Sequence, residues 1–123
     1  MAATTQLQTA DELRKQGKYL EAIPLYEEMI KTSQSSYPTR WLIYCQRKSG
    51  QIEAAYSTGR EALKIFPTDN FIRSECGWVV YDRELKPAKE AGNFGGVVQA
   101  AKKALDLDPE NAFLKNKVAQ AVI

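Results

Sequence analysis

Few residues in this sequence could carry out catalysis. It contains no histidine, which removes the commonest general base and the commonest metal ligand and makes a Ser-His-Asp or Cys-His arrangement impossible. Cys45 and Cys76 lie beside apolar neighbours and form no C-x-x-C pair, so we expect both to be small, buried, reduced residues. We therefore predict that the chain is not an enzyme.

Three other patterns that can mark a chemical site are weak here. Gly92-Asn-Phe-Gly-Gly is rich in glycine, but it lacks a preceding strand and the Lys-Ser/Thr of a phosphate-binding loop. The pairs Glu27-Glu28 and Asp106-x-Asp108 are typical of charges on helix surfaces rather than of metal ligands. We accordingly predict no cofactor and no bound metal.

The length and composition limit the class of protein. The 123 residues are enough for one domain, and the 44% hydrophobic and 26% charged residues indicate a folded chain rather than a disordered one. The net charge of +2 is too small to indicate a nucleic-acid or membrane partner. Apolar runs such as residues 78–81 are far shorter than the ~20 residues of a membrane span, and the N-terminus lacks a signal-peptide pattern. We expect a soluble, cytoplasmic protein.

Three short segments follow one pattern. Gly17, Gly50 and Gly92 are each followed by a polar residue, an apolar residue, two further residues and then alanine or valine. The segments Glu-Ala-Leu-Lys-Ile-Phe-Pro67 and Lys-Ala-Leu-Asp-Leu-Asp-Pro109 also match. Gly50 and Gly92 are 42 residues apart, as are the two prolines, and each proline follows its glycine by 17 residues. The chain therefore contains internal repeats.

These motifs resemble the tetratricopeptide repeat, a helix–turn–helix unit of about 34 residues that stacks on its neighbours. The glycine allows a positive φ in the turn, small residues such as Ala22 and Ala55 let the paired helices approach closely, and the proline ends the unit. The resemblance implies an all-α fold, a right-handed α-solenoid of antiparallel helix pairs with about three units and a C-terminal capping helix.

The repeats divide the chain into a single domain of three units and a terminal helix. We predict units over about 3–37, 38–68 and 69–110 and a terminal helix over 111–123. The third unit has an insertion near 83–90, which we expect to be an extended helix, a break at or before Pro87 and a loop. It also has Val97 where the family has a small residue.

Periodicity and helix-boundary signals predict seven helices and no strand. Thr9-Ala-Asp-Glu12 fits a capping box, Pro38 suits a first helical turn, and Asp69 suits an N-cap. The predicted helices are 10–16 or 3–16, 19–33, 38–48, 52–66, 70–85, 94–107 and 111–123.

The sequence ends on the apolar pair Val122-Ile123, although terminal repeats normally present a polar face to solvent. Three explanations stay open: the chain is part of a longer protein, this end docks on a partner, or the C-terminus is simply apolar. An open solenoid with such an end could also stack on a second copy, so self-association is a further hypothesis.

In tetratricopeptide proteins the first helix of each unit lines a concave groove that holds an extended peptide or a partner helix. Counting from each turn glycine, and from Gly77 in the third unit, the resemblance assigns positions on the three first helices to this groove, among them Leu7, Asp11, Tyr37, Phe71 and Ser74. Eight further positions would make the groove basic and aromatic. They are Arg14, Lys15, Arg40, Tyr44, Arg47, Lys48, Trp78 and Tyr81. The alternative is that the aromatic residues pack between helices and the cations form an ordinary solvated face.

A basic groove with interleaved aromatic residues favours an acidic peptide with an apolar or aromatic anchor. The family's grip on the C-terminal carboxylate of chaperones needs Lys, Asn and Arg, whereas the first unit has Leu7 and Asp11 at the matching positions. Because an acidic residue repels a carboxylate, we do not expect that mode.

The leading hypothesis is a non-enzymatic protein–protein interaction module, acting as a scaffold or adaptor. The second is a regulatory or scaffold domain of a longer multidomain enzyme. The third is single-stranded nucleic-acid binding, in which Tyr44 or Trp78 would stack on bases. The near-neutral charge argues against the third hypothesis.

Overall fold

The computed structural model describes residues 2–122, with side chains described for residues 6–121. This part of the chain is helical with short turns and contains no strand, which confirms the all-α helical-repeat fold. The helices are α1 (Ala2–Lys15), α2 (Tyr19–Ile30), α3 (Tyr37–Lys48), α4 (Ile52–Ile65), α5 (Asn70–Val80), α6 (Lys86–Glu90), α7 (Phe94–Leu107) and α8 (Ala112–Val122), with a π-helical turn, Tyr81–Leu85, between α5 and α6. None of these helices is long and apolar enough to cross a membrane.

The repeated glycines lie at the turns within the helix pairs. Gly17, Gly50 and Gly92 have φ values of +79°, +86° and +72°, and no other residue of the described chain has a positive φ. Because L-residues with a Cβ rarely adopt this conformation, the turns require glycine, as predicted. Ala22 and Ala55, in the helices that follow, are fully buried, so the small side chains do allow close helix contact.

Replacing Gly50 with alanine is expected to lower the free energy of unfolding by about 1–2 kcal/mol, because alanine would have to hold the positive φ. A Cβ at this position would meet nothing within 4 Å, so the cost is conformational. Gly95→Ala is the matched control, since Gly95 lies inside α7 and its Cβ would make only an ordinary contact of 3.8 Å. Urea denaturation followed by circular dichroism measures both variants; a Gly50→Ala variant as stable as Gly95→Ala would contradict this account.

The insertion in the third unit is helical, so the predicted break and loop near Pro87 are wrong. The chain is helical from α5 through the π turn to the end of α6 at Glu90. In an α-helix the proline ring clashes with the carbonyl four residues earlier. Here the Lys86 N–H bonds instead to the Tyr81 carbonyl, five residues earlier, and this wider turn directly precedes Pro87. Pro87 then falls in the first turn of α6, a position that tolerates proline.

Of the three predicted helix-boundary signals, two are confirmed and one is wrong. The Asp69 carboxylate caps α5 by accepting a hydrogen bond of 3.0 Å from the Ile72 N–H, and Pro38 lies in the first turn of α3. The predicted capping box at Thr9–Glu12 is wrong. Helix α1 begins at Ala2, so Thr9 lies in its interior; the preceding residues, rich in alanine and glutamine, extend the helix instead of ending it.

The buried side chains form three clusters. The first contains Tyr26 and joins the first two helix pairs; the second contains Ile43 and Ile72 and joins α3 and α4 to α5. The third contains Leu85 and Leu114 and joins the third pair to α8. A core shared between consecutive pairs is what a repeat solenoid requires, because one pair alone cannot bury its apolar face. The side chains of Val122 and Ile123, which motivated a docking hypothesis, lie outside the described residues.

Candidate partner-binding face

The eight residues assigned to a groove come from the first helices of the three pairs. Arg14 and Lys15 end α1, four residues lie on α3, and Trp78 and Tyr81 lie at the end of α5 and the start of the π turn. We call the surface formed by these side chains the first-helix face. Direct contacts join its parts, since the Arg14 guanidinium lies 3.6 Å from the centre of the Trp41 ring on α3, and α3 packs on α5.

An aromatic cluster centred on Trp41 adjoins the first-helix face, because the Trp41 ring contacts Arg14 and Tyr44 of that face. Its ring makes edge-to-face contacts with Tyr37, Tyr44 and Phe71 at centroid distances of 6.2, 5.3 and 4.8 Å. Trp78 and Tyr81 form a second pair at 5.7 Å. All of these rings are partly exposed. They give the face an apolar, polarisable surface that suits an aromatic or aliphatic side chain.

Trp41 was not among the residues predicted from the sequence. The count from the turn glycine selects positions three or four apart and passes over Trp41. The signal that could have found it is its spacing from Tyr37 and Tyr44, four and three residues away on one helical side. Its indole N–H is buried and has no hydrogen-bond partner among the described residues.

The Arg14 side chain is held by a polar network beside the Trp41 ring. Its Nε donates to the Tyr26 hydroxyl at 3.1 Å, and its Nη2 lies 3.6 Å from the Asp11 carboxylate. Asp11 also accepts hydrogen bonds from the Tyr26 and Tyr37 hydroxyls. Burial, followed by the hydrogen bond to Asp11, raises the pKa of both tyrosines, which therefore stay protonated. The network fixes the guanidinium in place.

Arg40 links α3 to the start of α5. Its Nη2 and Nε donate to the Asp69 carboxylate at 2.7 and 3.0 Å. Burial alone would raise the pKa of Asp69, but hydrogen bonds from Arg40 and from the Ile72 N–H outweigh it and hold the pKa below its usual range. Asp69 therefore caps α5 and pairs with the neighbouring unit at the same time.

Arg47 makes a second link to α5, and its side chain is more buried than that of Arg40. Its Nε lies 2.8 Å from Glu75 Oε2, and its Nη1 lies 3.7 Å from Asp82 Oδ2. Glu75 is only 7% exposed. The three arginines assigned to the groove are thus all paired with carboxylates of the chain itself, so the face is less basic than the sequence suggested.

Lys15 and Lys48, the two lysines assigned to the groove, differ from the three arginines in their ion pairing. Both are exposed at the ends of their helices, and neither forms an ion pair within the part of the chain that the structure describes. The Lys48 ammonium lies 5.7 Å from the Tyr44 ring centre. These lysines carry the charge that a partner could reach without breaking an internal pair.

The two cysteines are buried and form no disulfide, as predicted. Burial raises the pKa of the Cys45 and Cys76 thiols to about 11, so both are neutral at physiological pH and poor nucleophiles. Within residues 2–122, no cluster of three or more histidine, cysteine or acidic side chains could hold a metal ion.

Comparison with solved structures identifies the class of fold. The first tetratricopeptide domain of Spaghetti (RPAP3), bound to the HSP90 peptide SRMEEVD, has a TM-score of 0.70 at 19% identity over 97% of this chain and 89% of that chain. The second such domain of human RPAP3, in complex with the HSP70 peptide SGPTIEEVD, has a TM-score of 0.67 at 17% identity, covering 97% and 93%. The Yersinia enterocolitica type III secretion translocator chaperone SycD has a TM-score of 0.63 at 16% identity, covering 98% and 87%.

These similarities show that the chain has the tetratricopeptide repeat fold, as the glycine and proline spacing predicted. No protein-family model matches the sequence, and no curated protein matches it either. The likeness therefore concerns the fold alone, and the ligands of the similar domains belong to those proteins.

Proposed function

We propose that the chain is a non-enzymatic interaction module that binds a peptide or a partner helix on its first-helix face. The observation that carries this proposal is a row of partly exposed aromatic rings on a face whose arginines are fixed by internal ion pairs. A rigid face needs little ordering on binding, so more of the contact energy appears as affinity. Two of the similar domains are bound to peptides, which supports a peptide partner.

The charges on this face define the partner more narrowly. Lys15 and Lys48 can pair with acidic side chains, whereas Arg14, Arg40 and Arg47 position neighbouring groups through their own carboxylate partners. The partner is therefore a segment with an apolar or aromatic anchor for Trp78 and Tyr81 and one or two acidic residues, rather than a strongly acidic peptide.

A C-terminal carboxylate clamp of the chaperone-binding type is a poor fit to the first unit. Asp11 lies where such a clamp needs a neutral or cationic side chain, and its carboxylate already interacts with Tyr26, Tyr37 and Arg14. A bound terminal carboxylate would meet this fixed negative charge, and Arg14, the arginine beside it, already interacts with Asp11.

The paired arginines also weaken the nucleic-acid hypothesis, because phosphate binding would have to compete with internal carboxylates. On the second hypothesis, a regulatory domain of a longer enzyme, the partner segment would bind this same face. The same binding experiment therefore tests that hypothesis too.

We expect peptides selected against the wild-type chain from a random phage-displayed library to bind the Trp78→Ala variant at least tenfold more weakly than the wild type. Aromatic residues at the centre of an interface often contribute about 2 kcal/mol or more. Lys48→Gln should weaken binding about threefold, as expected for an exposed ion pair. Isothermal titration calorimetry measures the affinities, and Phe113→Ala, which alters an 80% exposed ring on α8, is the control. Peptides that bind wild type and Trp78→Ala equally, or that shift only amide resonances of α2, α4 and α7, would contradict the proposal.

A further inference from the structure

A pocket of about 320 Å³ lies between α4 and α7. We call it the α4–α7 pocket. Its floor is Cys76, Val79 and Val80 of α5, all buried. Residues 76 and 80 are each two positions from Trp78, about 200° around the helix, so the pocket lies on the side of α5 opposite the first-helix face.

At the end of the α4–α7 pocket that Tyr56 and Lys103 line, the charges form a chain of ion pairs that begins in the π turn. Arg83 lies 2.9 Å from Glu53 of α4 and 3.1 Å from Glu84, and Glu84 lies 2.9 Å from Lys103 of α7. The Lys103 ammonium also donates to the Tyr56 hydroxyl at 3.3 Å. Every charge at this end is paired, so this end offers a ligand no free charge.

Toward its other end the pocket is lined by two charges that form no ion pair within the described residues. Arg60 on α4 is exposed, and its guanidinium lies 5.7 Å from the centre of the Tyr56 ring. No carboxylate lies within ion-pair distance of it in the described residues. Asp106 on α7 also lines the pocket and likewise lacks an ion pair among the residues described. The pocket therefore attracts negative charge beside Arg60 of α4 and repels it beside Asp106 of α7.

We propose that the α4–α7 pocket is a second docking site, for a partner segment that inserts one aromatic or long aliphatic side chain beside a single acidic residue. The apolar floor removes the side chain from water, and the acidic residue pairs with Arg60. The volume is at the lower limit of ligand pockets, which suits one large side chain rather than a whole cofactor. The site is separate from the first-helix face, so the module would hold two partners at once.

The test uses three dipeptide probes on the full, ¹⁵N-labelled chain: N-acetyl-Trp-Glu-amide, N-acetyl-Trp-Gln-amide and N-acetyl-Ala-Glu-amide. We expect the Trp-Glu probe to shift the amide resonances of Ala55, Arg60, Val79 and Leu107. The Trp-Gln probe should bind about three- to fivefold more weakly because it lacks the carboxylate, and the Ala-Glu probe should cause no saturable shift. The Arg60→Gln variant should bind the Trp-Glu and Trp-Gln probes equally.

Two further variants separate this site from the first-helix face. Leu63→Trp enlarges a side chain that lines the pocket and should abolish the shifts that the Trp-Glu probe causes at Ala55, Arg60, Val79 and Leu107, whereas Trp78→Ala should leave those shifts unchanged. Should Leu63→Trp fail to fold by circular dichroism, Arg60→Gln still decides the matter, since the residue is exposed. A Trp-Glu preference that survives in Arg60→Gln, or shifts confined to Tyr44 and Trp78, would overturn the second site without affecting the proposed function.

Discussion

Arg47→Leu is expected to lower the free energy of unfolding by about 3 kcal/mol, because it leaves a buried carboxylate without its cation. Glu75 is 7% exposed, and its side chain hydrogen-bonds only to Arg47 within the described chain. The same substitution also removes the 3.7 Å contact between Arg47 and Asp82. Urea denaturation of the variant and the wild type measures the loss.

The double variant Arg47→Leu/Glu75→Leu tests the cause of that loss. Replacing both partners with apolar residues removes the uncompensated charge, so the double variant should regain most of the stability that Arg47→Leu loses. Arg40→Leu is a second comparison. Its partner Asp69 has a side chain as buried as that of Glu75, but Asp69 keeps the hydrogen bond from the Ile72 N–H. The removal of Arg40, which is 37% exposed, should therefore cost less than the removal of Arg47 at neutral pH. A double variant no more stable than Arg47→Leu would contradict the buried-charge explanation.

The Arg40–Asp69 pair should also give stability a pH dependence. Since the pKa of Asp69 is lowered in the folded state, its contribution is complete above the pKa of the unfolded carboxyl and is lost as the pH falls through the folded pKa. The free energy of unfolding of Arg40→Leu, measured by urea denaturation at several pH values between neutral and acidic, should therefore change less with pH than that of the wild type.

Leu85→Ala is expected to lower the free energy of unfolding by about 3 kcal/mol, the usual cost of emptying a leucine site in a core. Leu85 ends the π turn, is fully buried and packs in one cluster with Val97 and Leu114. Lys86→Ala, at the exposed next position, is the control and should change stability by less than about 0.5 kcal/mol. Thermal and urea unfolding check both; an equal effect of the two substitutions would show that the π turn does not place Leu85 in the core.

Much of the fold could be predicted because its turns depend on single residues. Only glycine holds a positive φ without strain, so Gly17, Gly50 and Gly92 marked the three turns, and the spacing to Pro67 and Pro109 marked two unit ends. Such signals are local, and the sequence displays them directly.

The errors concern features that depend on three-dimensional neighbours. A proline normally ends a helix, and nothing in the residues before Pro87 shows that a wider turn accommodates it. Similarly, the spacing that placed Arg40 and Arg47 on one face could not show that Asp69 and Glu75, 29 and 28 residues further on, would pair with them. Residue type and period predict which side of a helix a charge occupies, but not whether another carboxylate of the same chain already neutralises it.

The π turn also bears on how this domain could change in length during evolution. A turn with a five-residue hydrogen bond contains one more residue than an α-helical turn. The helix can therefore absorb a single inserted or deleted codon at this position by changing its local winding. Helix α5 before the turn buries Val79 and Val80, whereas α6 after it contains no buried residue. A shift of α6 by one residue would therefore leave the buried face of α5 in place.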